Sequence, residues 1–153
     1  MKIRTARYAD VEAISQLIAP LVIKHILPGC SEQGAEILLK SMNSESIENY
    51  FRFGYQYWLG EVDNQLMAVI GIKENSHLYH LFVADPFQGR GHAQQLWQHV
   101  KAECLASGNP GVFTVNSALN AAPVYRKWGF EPLCEVRERS GIKDIPMRLL
   151  LDL

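Results

Sequence analysis

The chain has no CxxC pair, no apolar run approaching membrane-spanning length, and no surplus of either charge. Each lack excludes a class of function. Cys30, Cys104 and Cys134, odd in number and without paired spacing, suggest no disulfide framework. They read as small core residues of a reduced protein rather than as ligands or nucleophiles. The five histidines show no HExxH or comparable spacing, so no metal is implied. Net charge is −1, with lysines and arginines scattered along the chain, which gives no electrostatic support for binding nucleic acid or a membrane. The opening MKIRTARYADVEA lacks the apolar core of a secretion signal, and a cytoplasmic protein is expected. No linker rich in Pro, Gly or Ser and no internal repeat interrupts the 153 residues. A single domain over 1–153 with a sizeable core is therefore expected.

What is present is a change of period along the chain. Lys2–Thr5 reads as a short strand. Asp10 is placed to cap a helix whose apolar face is Val11, Ile14, Leu17, Ile18 and Leu21. Pro28-Gly29 breaks the chain, Ser31 opens a second helix, and Ser44–Phe51 reads as a third. YQYWLGEV, QLMAVIGI and HLYHLFV then read as three strands joined at Asp63-Asn64 and Glu74-Asn75-Ser76, an antiparallel meander. Ala93, Leu96, Trp97, Val100 and Cys104 mark an amphipathic helix ending near Gly108. GVFTV is a buried strand, and Pro123 starts a helix with Val124, Tyr125 and Trp128 on one face, closed by Gly129. FEPLCEVRER and IPMRLLL form a final strand pair. Strands that run together without helices between them argue for a mixed α+β sheet rather than a parallel doubly wound one.

Between the third meander strand and the amphipathic helix lies VADPFQGRGHAQQLW (83–97). A glycine turn there can be plain punctuation. It can also be an anion site, because the helix start leaves free amides at the positive end of the dipole. Gly89 and Gly91 keep side chains away from those amides, and Arg90 adds a charge that can pair with phosphate. The third glycine of a G-x-G-x-x-G dinucleotide loop is Gln94 here, and the G-K-[ST] of a nucleoside-triphosphate loop is missing. Both are set aside.

Gln88-x-x-Gly91-x-Ala93 resembles the [R/Q]-x-x-G-x-[G/A] signature of the GCN5-related N-acetyltransferase (GNAT) family. NSALNAAPVYRKWGF (116–130) is similar to that family's second cofactor segment, and the order of elements matches along the whole chain. The resemblance implies a GNAT-like α+β fold whose mostly antiparallel, twisted sheet splays at the cofactor site. It implies acetyl-CoA as co-substrate, with an amine attacking the thioester directly in a ternary complex. Pyrophosphate would rest on Gln88, Gly89, Arg90, Gly91, His92 and Ala93. Backbone groups of Leu81, Phe82 and Val83 would hold the pantetheine arm and polarise the thioester carbonyl. Asn116 and Asn120 would lie beside that arm, although Asn120 alone reads as a helix cap.

The resemblance places Tyr125 among the cofactor-binding residues as well as in the family's general-acid position, while its spacing also fits an aromatic on a core face. His77 stands where the family often carries a basic residue, and it reads equally as a hydrogen-bonded structural histidine. Tyr79 or Glu74 acting through water are rivals for the base. Simple alternation puts His77, Tyr79, Leu81 and Val83 on one face, with His80 toward the helices unless a bulge reverses the register. His25, His92 and His99 look peripheral to proton transfer. NYFRFGYQYW alternates Phe51, Phe53, Tyr55 and Tyr57, and that aromatic face can line an acceptor pocket or the core. The acceptor is expected to be the primary amine of a small molecule or peptide, and a homodimer is a family-level expectation. A non-catalytic acyl-CoA-binding regulatory module is the alternative.

Overall fold

The structure, a computed structural model, describes residues 1–152. β1 (Lys2–Thr5) leads through a 3₁₀ turn into α1 (Val11–His25), which buries Val11, Ile14, Ile18 and Leu21, with Leu17 half-buried. Asp10 does not cap it. The turn already holds Asp10 in a helical conformation (φ −88°, ψ −9°), and its carboxylate instead accepts the Arg7 N–H at 2.8 Å and pairs with Arg4. α2 (Glu32–Lys40) and α3 (Ser44–Arg52) do carry side-chain caps. Ser31 Oγ accepts the Gly34 N–H at 3.0 Å, and Asn43 Oδ1 accepts the Ser46 N–H at 2.8 Å.

Because α3 continues to Arg52, the aromatic alternation over 51–57 is not one strand face. Phe51 ends a helix, Phe53 is 78% exposed in a turn, and Tyr57 belongs to the next strand. The meander follows as β2 (Gln56–Val62), β3 (Gln65–Lys73) and β4 (His77–Val83), all antiparallel. Its turn residues Asp63, Asn64, Glu74 and Asn75 all take positive φ, the backbone such tight hairpins require.

α4 (His92–Ala106) then packs Leu96, Trp97, Val100 and Cys104 onto the sheet. β5 (Val112–Ser117), α5 (Ala122–Lys127), β6 (Glu131–Pro132), β7 (Arg137–Arg139) and β8 (Ile142–Leu150) complete the chain. Sheet order is β1-β2-β3-β4-β5-β8-β6, with β7 on β8. The segment read as a single strand over FEPLCEVRER is two short ones. β6 pairs with Met147 and Arg148, β7 with Ile142 to Asp144, and the two are parted opposite Pro146. Proline has no N–H to continue a ladder there. On α5, Tyr125 is buried, Trp128 is half-buried and Val124 is 43% exposed. Cys104 is a core residue as expected, Cys30 is half-buried, and Cys134 is exposed.

Two cores result, one on each face of the sheet. α4 and α5 cover one face around Trp97, Phe113 and Phe130. α1 and α3 cover the other around Ile14, Ile18, Ile47 and Val69. The β7–β8 hairpin tip docks on the start of α2, where the Gly141 carbonyl accepts the Ser31 N–H at 3.0 Å. Among the described residues, no helix is long and apolar enough to cross a membrane.

Candidate active site

One extra residue in β4 shapes the site. Gly71 pairs with His80 and Ile72 with Leu78, so Tyr79 is a bulge without a partner on β3. The bulge overturns the simple alternation. Leu78 now shares the α4 face with Leu81 and Val83, whereas His80 and Phe82 share the α1 face. His80 is buried there, and its Nδ1 lies 2.8 Å from the Tyr57 hydroxyl. Complete burial lowers its pKa to about 3, so it stays neutral.

The bulge also coincides with the end of pairing to β5. Only His77 and Leu78 pair with Thr114 and Val115 in parallel, and beyond them the two strands part. Ala84 N–H donates to the Met67 carbonyl at 2.8 Å, so by strand alternation Phe82 directs its backbone groups to β3. Leu81 and Val83 therefore turn theirs to the open edge. The Gln88 side chain reaches that edge and donates to the Val83 carbonyl at 2.9 Å. Of the three residues expected to hold a pantetheine arm, Leu81 and Val83 present backbone groups and Phe82 only its side chain.

The parted strands open a cavity of about 850 Å³ that joins both faces of the sheet. Gly89, Gly91, His92 and Ala93 line it at the start of α4. Gly89 and Gly91 have φ of 76° and 80°, a conformation that favours glycine, and a Cβ built on either meets no atom within 4 Å. Gly91 supplies no side-chain cap, so the first-turn N–H groups of this 15-residue helix face open space. An anion fits there, with backbone amides and the helix dipole as its partners. Arg90 is exposed and does not line the cavity.

Lys24 and His25, at the end of α1, clasp Asp85 just before the glycine turn, at 2.7 and 2.8 Å. Asp85 is held below the usual carboxylate range, chiefly by Lys24. Asn120 is not a helix cap; its Nδ2 donates to the His25 carbonyl at 3.5 Å and ties the approach to α5 to the same corner. Asn116, Asn120, His77 and Tyr125 all line the cavity.

Tyr125 is buried, its hydroxyl makes no hydrogen bond within the described residues, and that oxygen keeps access to the cavity. Burial raises its pKa, so it stays protonated and able to donate. His77 Nδ1 lies 2.7 Å from Thr114 Oγ1. Burial first, then the nearby Lys73 charge, lowers its pKa, which leaves a neutral imidazole able to take a proton near neutral pH. Glu74 is exposed in its turn and does not line the cavity, whereas Tyr79 does. Phe51, Phe53, Tyr55 and Tyr57 stand outside it. Ile37, Leu38 and Ser41, together with Arg139, Ile142, Lys143 and Asp144, also line it, although no sequence motif marks them. Only the hairpin's docking on α2 brings them together.

A family model for the acetyltransferase (GNAT) domain matches residues 26–151. No curated protein matches the sequence at a significant level. Among solved structures, a GCN5-related N-acetyltransferase from Rhodopseudomonas palustris superposes with a TM-score of 0.82 at 17% identity, over 98% of this chain and 95% of that one. PaiA N-acetyltransferase from Thermoplasma acidophilum, in complex with coenzyme A, gives 0.79 at 18% identity over 98% of each chain. YncA from Salmonella typhimurium, with its cofactor acetyl-CoA, gives 0.68 at 19% identity over 100% and 95%. At such identities these likenesses speak for the fold, and the domain match over most of the chain decides kinship. The chain belongs to the GNAT acetyltransferase family.

Proposed function

We propose that the chain transfers an acetyl group from acetyl-CoA to a primary amine by direct attack within a ternary complex. One observation carries the reading. The open Leu81–Val83 edge, the free amides at the start of α4 and the unpartnered Tyr125 hydroxyl share a single cavity. Acetyl-CoA would supply an activated thioester carbon for the nitrogen to attack. The first-turn amides of α4 would hold its pyrophosphate, and Leu81 and Val83 its pantetheine amides. An N–H at this edge, left without a β5 partner, stabilises charge gathering on the thioester oxygen. His77 takes the proton released from the nitrogen as the N–C bond forms. Tyr125 gives its phenolic proton to the sulfur as the C–S bond breaks, so the proton count balances. The chain would act in the cytoplasm as one domain.

Thiol release from acetyl-CoA across a panel of amines tests this reading. Tyr125→Phe is expected to slow turnover by about two orders of magnitude or more. Its affinity for acetyl-CoA should change far less than its turnover, because the proton is needed only as the C–S bond breaks. Retained acetyl-CoA binding with no thiol release for any amine would favour a regulatory binding module instead.

A further inference from the structure

The α2 side of the cavity carries groups that acetyl-CoA does not explain. Tyr79 Oη lies 3.1 Å from Tyr50 Oη, which lies 3.0 Å from the Ser41 carbonyl. A carbonyl only accepts, so the single Tyr50 proton goes to Ser41, and Tyr50 can only accept from Tyr79. The Tyr79 proton is thereby committed. Its oxygen keeps only lone pairs for a ligand, and an N–H donor is the partner those lone pairs take.

Beside it the wall is apolar, formed by Ile37 and Leu38 of α2 and Ile142 of β8. The β7–β8 hairpin adds charge. Asp144 is held by both nitrogens of the Arg137 fork, at 2.5 and 3.2 Å, so its charge is answered inside the hairpin. Arg139 lies 3.7 Å from Asp144 with its side chain 65% exposed, and is left as a surplus cation. Lys143, on the hairpin's other face, stands opposite its cross-strand partner Glu138, so Arg139 is the hairpin's one net positive charge. These groups gather against α2, whereas the glycine turn opens the helix that covers the opposite face. They do not duplicate the pyrophosphate site.

We propose that the acceptor is a small amino-acid-like molecule, with an apolar body and a carboxylate as well as its amine. Its nitrogen donates to Tyr79 Oη, and its carboxylate pairs with Arg139. A polyamine fits poorly, because among the described residues the one carboxylate lining this cavity, Asp144, is already paired. The identification rests on the acetyl-transfer reading for the reason an amine enters, but binding can be measured apart from turnover.

The test titrates CoA-saturated protein calorimetrically with leucine and leucinamide, phenylalanine and phenylalaninamide, and putrescine. Each acid is expected to bind roughly tenfold or more tighter than its amide, the worth of one charged hydrogen bond. Arg139→Gln should erase most of that ratio and Arg139→Lys should restore part of it. Tyr79→Phe should weaken acid and amide alike. Equal or tighter binding of the amides, preference for putrescine, no binding of any acid, or an unchanged ratio in Arg139→Gln each overturns the proposal. Acids that bind but are never acetylated would refute the transfer reading and leave the carboxylate site standing. Amides acetylated in preference to acids would do the reverse.

Discussion

Replacing Gly91 separates the electrostatics of the α4 start from its folding. A Cβ there meets nothing within 4 Å, so only the left-handed backbone (φ 80°) resists a side chain. That conformation costs roughly 1–2 kcal/mol for an ordinary L-residue and less for Asn or Asp. Gly91→Asn and Gly91→Asp should therefore fold alike while differing by one charge. The new carboxylate would stand before the first-turn amides, about 5 Å from a bound phosphate. At an effective permittivity of about 20, one such charge pair repels by about 3 kcal/mol, or roughly a hundredfold in affinity. Pyrophosphate presents two charges, and added salt offsets part of the second. Calorimetric titration with CoA near neutral pH, beside thermal unfolding of both variants, measures the two effects separately. Equal melting temperatures with CoA affinities within about threefold of each other would remove pyrophosphate from this helix start.

Three further perturbations probe the scaffold. His80 has a pKa of about 3 in the fold and should titrate near 6.5 once unfolded; its contribution is complete above about pH 6.5 and drains away as pH falls toward 3, with a limiting slope of about 1.4 kcal/mol per pH unit. The same lowering at His77 acts in the same direction, and urea midpoints independent of pH between about 7 and 5 would contradict both. Gly34→Ala should gain about 1 kcal/mol from helix propensity alone, yet its Cβ would fall 2.4 Å from the Gly141 carbonyl oxygen. A net loss of about 1–3 kcal/mol in urea unfolding is expected, and a net gain would show that the hairpin is free to move off α2. Deleting Tyr79 should remove the bulge and let β4 continue pairing with β5. Amide hydrogen exchange at Leu81 and Val83 should slow and CoA binding should be lost; retained binding would sever the open edge from cofactor capture.

Much of this arrangement was legible in the residues because it is local. The 3.6 spacing of Leu96, Trp97, Val100 and Cys104 reports a face that one helix buries. The caps at Ser31 and the turn at Asp63-Asn64 are decided by a few neighbouring atoms. The glycine turn was legible for the same reason, since two glycines before a helix describe a backbone conformation. Asp10 misled since Arg4, six residues away, outcompetes the helix end for its carboxylate. The acceptor wall was hidden more deeply. Ile37 and Arg139 are about a hundred residues apart, and nothing in either segment reports that Gly34 and Gly141 let their backbones meet.

The bulge at Tyr79 ties these levels together. Without it, His77, Leu78, His80, Leu81, Phe82 and Val83 would alternate without fault between the two faces of the sheet. The inserted residue thus leaves the core assignment of every neighbour intact, which is why it costs the fold little. Its side chain finds company on the α3 side, with ring centres 5.0 Å from Tyr50 and 5.2 Å from Tyr55, contacts worth about 0.5–1.5 kcal/mol each. Its backbone comes directly after the last pair that β4 makes with β5. A strand that bends there cannot stay in register with a parallel neighbour, so Leu81 and Val83 are left with edge groups that no strand pairs. Those groups would be a liability on an exposed sheet edge. Lining the same cavity as the start of α4 and the β7–β8 hairpin, they remain open to a ligand that carries amides of its own. On the proposed reaction, the same residue would separate the strands for acetyl-CoA and, through its acceptor-only oxygen, face the amine.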